Sequence, residues 1–194
     1  MIDPVNITNF NLTKSQLEEM LIFWVCAAGK NAITASKSLD RLLTIIQGHQ
    51  CPFAAIQACG FKKLPKLMKE CGIGCYNQKA KTFWQLANSG LNLRKCSAAD
   101  LETICGIGRK TSRCFIMHSR RNARCAGLDT HLLHYLSDLG YSVPKATPSS
   151  AKEYSRLENI FLELVDKSGK STAEYDLFVW RKYSGRDQKS LLKI

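Results

Sequence analysis

The chain has 194 residues, 45% of them apolar, and 28 Lys and Arg against 16 Asp and Glu, a formal charge of +12. This length suits one compact unit or two small lobes with a genuine core. No stretch approaches the roughly 20 apolar residues of a membrane span, none reads as a basic amphipathic membrane-surface helix, and the opening MIDPVNITNF has neither the basic nor the apolar region of a secretory signal.

The pattern is helical almost throughout. Ser15 and Glu18 read as a capping box that opens a helix to about Ala28. AAGKN breaks it. A second helix spans about Ala32 to Gln47, with Ile33, Leu39, Leu42, Leu43 and Ile46 on one face. Shorter helices follow at about Pro52 to Cys59, Leu64 to Cys71 and Asn77 to Asn88. Ser97 and Asp100 begin a short helix that ends near Ile104, and a glycine turn leads into a helix of about Arg109 to His118. RRNARCAGL is a basic connection. Asp129 reads as the N-cap of a helix to about Leu139. YSVPKATPSS is loop-like, helices at about Ser150 to Asp166 and Thr172 to Tyr183 follow, and the tail GRDQKSLLKI is basic. No segment sustains the period-two alternation of a strand, and no repeat or low-complexity tract is present, so the fold class is all-α.

The charge excess favours a polyanion, nucleic acid ahead of a merely basic surface. Nine cysteines, an odd number, sit mostly within apolar runs and read as reduced thiols of a cytoplasmic protein. Paired C-x-x-C spacing is missing. Cys71 and Cys75 are four apart, but the two glycines of CGIGC make a poor helix, so no metal site is expected.

The segment ICGIGRKTSRCF carries the most chemistry. Its glycines allow a tight turn and close backbone approach. The next helix then starts with open amides, which bind phosphate without reading bases. An ordinary helix-turn-helix corner would look similar. Lys110 sits in the first turn of that helix, where the aligned amide dipoles disfavour a cation by roughly 0.3–1 kcal/mol.

CGIGRKTS followed by GLDTH resembles the helix-hairpin-helix base-excision glycosylases, the superfamily that includes endonuclease III. Lys110 and Asp129 match its lysine after the hairpin and its later aspartate. GIGCYNQKAKTFWQLA is similar to its Gly-x-Tyr-Asn-x-Lys-Ala segment. Farther on, Glu158, Asn159, Ile160, Asp176, Leu177 and Trp180 resemble the C-terminal pattern of the short archaeal and bacterial 8-oxoguanine DNA glycosylase/lyases. FWVCAAGKNAIT is similar to the damage-facing turn after the first long helix. The likeness runs from about Leu21 to Gly185.

The resemblance implies two helical lobes around a cleft: about 30–120, containing the hairpin region 97–118, and about 1–29 joined to 121–194. It implies a bifunctional DNA glycosylase and apurinic/apyrimidinic lyase acting on 8-oxoguanine in double-stranded DNA, as an intracellular monomer. Lys110 would be the nucleophile. A helix start that penalises the cation favours the free amine that a nucleophile needs. Asp129 would stabilise the developing sugar cation besides capping its helix. Gly106, Ile107, Gly108, Arg109 and Thr111 would hold DNA, Lys30 and Asn31 would enter the gap left by a flipped nucleotide, and Asp176, Phe178 and Trp180 would form the base pocket. His131 and His134, an i,i+3 pair, read as packing or surface. Lys79, Lys81, Arg113, Arg120, Arg121 and Arg124 are candidates for a phosphate-facing surface. The implied reaction needs no redox or metal cofactor, and the resemblance implies a monovalent cation in the hairpin, as is usual for the motif. The absence of cysteine after Cys125 excludes the C-terminal iron–sulfur cluster of the endonuclease III branch. The chain also runs on to Leu191, Leu192, Lys193 and Ile194 where the short 8-oxoguanine enzymes tend to end in lysine. A glycosylase for another base and a non-catalytic DNA-binding module are the alternative readings.

Overall fold

The computed structural model describes residues 1–46 and 51–185. Gln47, the expected end of the second helix, and the tail with Leu191, Leu192, Lys193 and Ile194 lie outside the described residues. The described chain is all-α: α1 (Lys14–Ala27), α2 (Ala32–Ile46), α3 (Pro52–Cys59), α4 (Leu64–Glu70), α5 (Tyr76–Asn88), α6 (Ala98–Glu102), α7 (Arg109–Ser119), α8 (Thr130–Asp138), α9 (Ala151–Ser168) and α10 (Thr172–Tyr183). None of these helices is long and apolar enough to cross a membrane.

The first capping box lies two residues earlier than the sequence suggests. Thr13 accepts from the Gln16 amide and Gln16 from the Thr13 amide, so α1 begins at Lys14. Ser15 falls inside the first turn. Glu18 turns inward and accepts from the Phe53 amide at 2.9 Å, tying α1 to α3.

Two apolar cores form. The first gathers α1 to α7 with Ile7 and Leu12, around the fully buried rings of Phe23, Phe83 and Phe115. Burying each such ring contributes about 1.5–3 kcal/mol. The second gathers α8, α9 and α10 around Tyr154 and Phe161. Because α1 shares the first core, the expected division that joined 1–29 to the C-terminal lobe does not follow the packing: buried positions from Leu17 to Ala27 face α2, α3, α5 and α7.

Between the cores runs a polar tie. The Arg113 guanidinium pairs with Glu102 (2.6 Å) and Glu158 (3.0 Å) and lies 4.8 Å from the centre of the Tyr154 ring. Glu158 also accepts from the Ala126 amide at 2.9 Å, and the Tyr154 hydroxyl donates to the Ala126 carbonyl at 2.7 Å. Arg113 is therefore an internal linker, not part of a phosphate-facing surface.

Candidate active site

A cleft of about 970 Å³ opens where the two cores meet. Six segments line it: Pro4 and Ile7, the end of α1 with the turn to α2, the hairpin and α7, the stretch 127–131, the stretch 146–149, and the inner face of α10 with Ser184.

The hairpin depends on one glycine. Gly106 has φ +90°, and a Cβ there would sit 2.3 Å from Thr82 Oγ1, which donates to the Cys105 carbonyl at 2.7 Å. A side chain is excluded both by φ and by space. Ile107 points the other way and is buried in the first core, so its side chain is closed to any ligand. Gly108 is the N-cap of α7 and offers no side-chain acceptor, which leaves the first amides of α7 open toward the cleft. Arg109 ties this start to the second lobe by donating to the Ser149 carbonyl at 2.8 Å. Thr111 is buried beneath the cleft wall.

Lys110 is half-buried on the first turn of α7 and faces the cleft, its Nζ 5.6 Å from the centre of the Trp24 ring. Asp129 lines the same cleft and caps α8 by accepting from the Leu132 amide at 2.9 Å. Gly127 allows this stretch to lie against α7. A Cβ there would come 2.1 Å from Cys114 Sγ and 3.4 Å from the Lys110 carbonyl. Burial pushes the Asp129 carboxyl above the usual carboxylate range; the charge of Lys110 pulls it back down and the charge of Asp176 pushes it up again. A carboxyl held this way sits nearer the pH at which proton transfer is useful.

On α10, Asp176, Leu177 and Trp180 line the cleft. Phe178 does not: about 200° around the helix from Asp176 at 100° per residue, it is 47% exposed and packs on the Tyr175 ring. That residue is thereby removed from the expected base pocket. Lys30 and Asn31 both border the cleft. Lys30 lies over Gly74, and Asn31 Oδ1 caps α2 through the amides of Ile33 and Thr34.

The expected phosphate-facing surface is thinner than the sequence suggests. Buried Lys79 donates to the Cys26 carbonyl at 2.7 Å and the Ala28 carbonyl at 3.4 Å, closing the end of α1, and burial lowers its pKa. Arg120 donates to the Leu93 and Cys96 carbonyls, and Arg124 pairs with Asp166. Lys81 is exposed, and the exposed Arg121 lies 5.4 Å from the centre of the Phe10 ring. His131 borders the cleft, while His134 is exposed outside it.

Sequence reasoning missed His118 and Trp24. Fully buried His118 stacks on Trp24, with ring centres 5.4 Å apart and planes 15° apart. Its partners, Thr8 and Asp176, lie far away in the chain, so no local pattern marks it.

Among the described residues no group of three or more His, Cys, Asp or Glu side chains is placed to hold a metal. A monovalent cation at the hairpin would rest on backbone carbonyls. That of Ile104 already accepts from the Ile107 amide at 3.0 Å and that of Cys105 from Thr82 at 2.7 Å; each retains a second lone pair, so the residues fit such an ion.

No protein-family model matches the chain. Its fold is that of solved 8-oxoguanine DNA glycosylases. The Methanocaldococcus jannaschii 8-oxoguanine glycosylase/lyase, solved with DNA containing 8-oxoguanine, is 21% identical, with a TM-score of 0.71 over 90% of this chain and 84% of that one. The Thermotoga maritima 8-oxoguanine DNA glycosylase is 20% identical, with a TM-score of 0.71 over 89% and 82%. The Clostridium acetobutylicum 8-oxoguanine glycosylase/lyase, solved with DNA carrying cytosine opposite the lesion, is 18% identical, with a TM-score of 0.62 over 89% and 60%.

Proposed function

We propose that the protein is a bifunctional DNA glycosylase and apurinic/apyrimidinic lyase that acts as a monomer on duplex DNA and releases an oxidised base, 8-oxoguanine. The observation that carries this reading is that Lys110 and Asp129 line one cleft, near enough for the charge of one to act on the other, beside a hairpin with open amides. A phosphate-gripping module needs neither an amine nor a carboxylate there.

The hairpin and the open amides of α7 grip the backbone, and the target nucleotide leaves the stack to enter the cleft. The amine of Lys110 attacks C1′. The glycosidic bond breaks, its electron pair goes to the base, and the base takes up a proton. Asp129, ionised, stabilises the positive charge that develops on the sugar. The C1′–O4′ bond then opens with protonation of O4′, leaving an imine between Lys110 Nζ and C1′. Loss of a proton from C2′ expels the 3′ phosphate by β-elimination. Asp129, with its raised pKa, is suited to pass protons among amine, sugar and base. Trp180, on the inner face of α10, supplies a ring against which the base stacks, and Asp176 accepts from its N–H groups. A monovalent cation on the hairpin carbonyls would add positive charge toward a phosphate.

The test is borohydride trapping on duplexes containing 8-oxoguanine, uracil, thymine glycol or an abasic site. The expected result is a covalent adduct on 8-oxoguanine and abasic duplexes that is lost in Lys110→Gln. Full activity in Lys110→Ala would refute the mechanism. An adduct on the abasic duplex alone would refute the base assignment while keeping the lyase chemistry.

A further inference from the structure

Besides Lys110 and Asp129, His118 and Asp176 line the cleft, Thr8 holds the far nitrogen of the His118 ring, and the chemistry above leaves Thr8 and His118 unused. The His118 ring is fully buried, so both of its nitrogens need partners. Nε2 lies 3.3 Å from Asp176 Oδ2, and Nδ1 lies 2.8 Å from Thr8 Oγ1. A carboxylate only accepts, so Nε2 carries the proton. In the neutral ring Nδ1 then presents a lone pair, and the Thr8 hydroxyl donates to it. The ring has no freedom to exchange these roles: it is stacked on Trp24, and the His118 carbonyl accepts from the Asn9 amide at 3.0 Å, which seats Thr8 beside the ring.

The arrangement fixes Asp176 in turn. Oδ2 is held by His118, while Oδ1 takes no hydrogen bond among the described residues, and the side chain borders the cleft. An anchored carboxylate with an open oxygen welcomes N–H donors and repels lone pairs. The guanine-type edge, with N1–H beside the 2-amino group, offers two adjacent donors. The adenine-type edge places a lone pair at N1.

We infer that Thr8 and His118 are positioning residues for base selection: Thr8 fixes the imidazole as the Nε2–H tautomer, and the imidazole aims Asp176 so that the cleft admits purines with a guanine-type donor edge. This rests on the glycosylase reading above and goes beyond it by assigning how the base is chosen.

The experiment compares wild type, Thr8→Val and Thr8→Ser. Valine matches threonine in shape without the hydroxyl; serine keeps the hydroxyl. Three quantities are read: release of 8-oxoguanine, release of 8-oxoadenine, and borohydride trapping on an abasic duplex, which needs no base contact. In Thr8→Val, 8-oxoguanine release falls by about three- to tenfold, the range expected for one lost buried hydrogen bond. Discrimination against 8-oxoadenine falls with it, trapping is unchanged, and Thr8→Ser behaves as wild type. In wild type, the ¹⁵N shifts of His118 show an unprotonated Nδ1. The inference is overturned if Thr8→Val releases 8-oxoguanine at the wild-type rate, or if release and trapping fall together and serine does not restore them. If wild type traps no duplex at all, the lysine mechanism fails and this inference with it; a silent Thr8→Val in a protein that traps normally defeats this inference alone.

Discussion

Replacing Asp129 by asparagine and by alanine separates its two roles. Oδ1 of Asp129 accepts from the Leu132 amide at 2.9 Å, and asparagine keeps an acceptor there. Asparagine and aspartate are equally good N-caps, whereas alanine costs about 0.5–2 kcal/mol. For a protein of this size that is a fall in Tm of roughly 2–4 °C per kcal/mol. Asparagine should do better than preserve stability. Burial raises the Asp129 pKa in the folded state above its unfolded value of about 3.9, so the native protein binds this proton more tightly than the unfolded chain. Stability from that proton is fully present below the unfolded value and lost as pH rises through the folded one. At neutral pH the wild-type carboxylate is therefore a burden that asparagine removes, and the advantage of Asp129→Asn should vanish near pH ~4. Catalysis should move in the opposite direction: without the charge, base release falls by about 10²–10³, the scale of losing one electrostatic contact to the transition state. The assays are thermal unfolding at pH 7 and at acid pH, and single-turnover release of 8-oxoguanine. Base release by Asp129→Asn within about fivefold of wild type would show that Asp129 is a helix cap and no more.

Three further outcomes follow from the same geometry. The pH profile of base release should fall on its acid side at a pH above the ordinary carboxylate value of about 3.9, because the proposed mechanism uses Asp129 ionised and its pKa is raised; single-turnover rates across pH give the position of that limb. Gly127→Ala drives a Cβ to 2.1 Å from Cys114 Sγ and should cost about 1–3 kcal/mol in urea unfolding, part of which Cys114→Ala in the same chain restores. Gly106→Ala meets both a φ of +90° and Thr82 Oγ1; affinity for undamaged duplex, read by fluorescence anisotropy, should fall more than global stability does.

What the sequence disclosed was local. The hairpin glycines, the Asp129 cap and the helical runs each lie within a few neighbouring residues, so turn chemistry and periodicity were enough to find them. Charges were harder. Lys79, Arg113 and Arg120 look like solvated side chains in the sequence, yet Lys79 closes α1 across 53 residues, and Arg113 reaches Glu158 across 45. Nothing in a helical run tells a lysine bound for solvent from one bound for a distant carbonyl. Thr8 and His118 meet across 110 residues, and only the folded chain brings them together. Phe178 fell to an error of angle: two positions along a helix from Asp176, it faces away from it. The capping box of α1 was displaced because Glu18, polar in sequence, is drawn inward by the Phe53 amide.

Under the proposed function, the start of α7 has a consequence for how the protein would move along DNA. Where α1, α6, α8 and α10 close their first turns with Thr13, Ser97, Asp129 and Ser171, α7 begins at a bare glycine. A passing phosphate would supply what the chain withholds, so each backbone position along a duplex would complete the helix equally well. Such a grip has no preferred register. On the proposed function, it would let the molecule slip from one nucleotide to the next at little cost, holding the cleft against strand after strand until a weakly stacked base swings in.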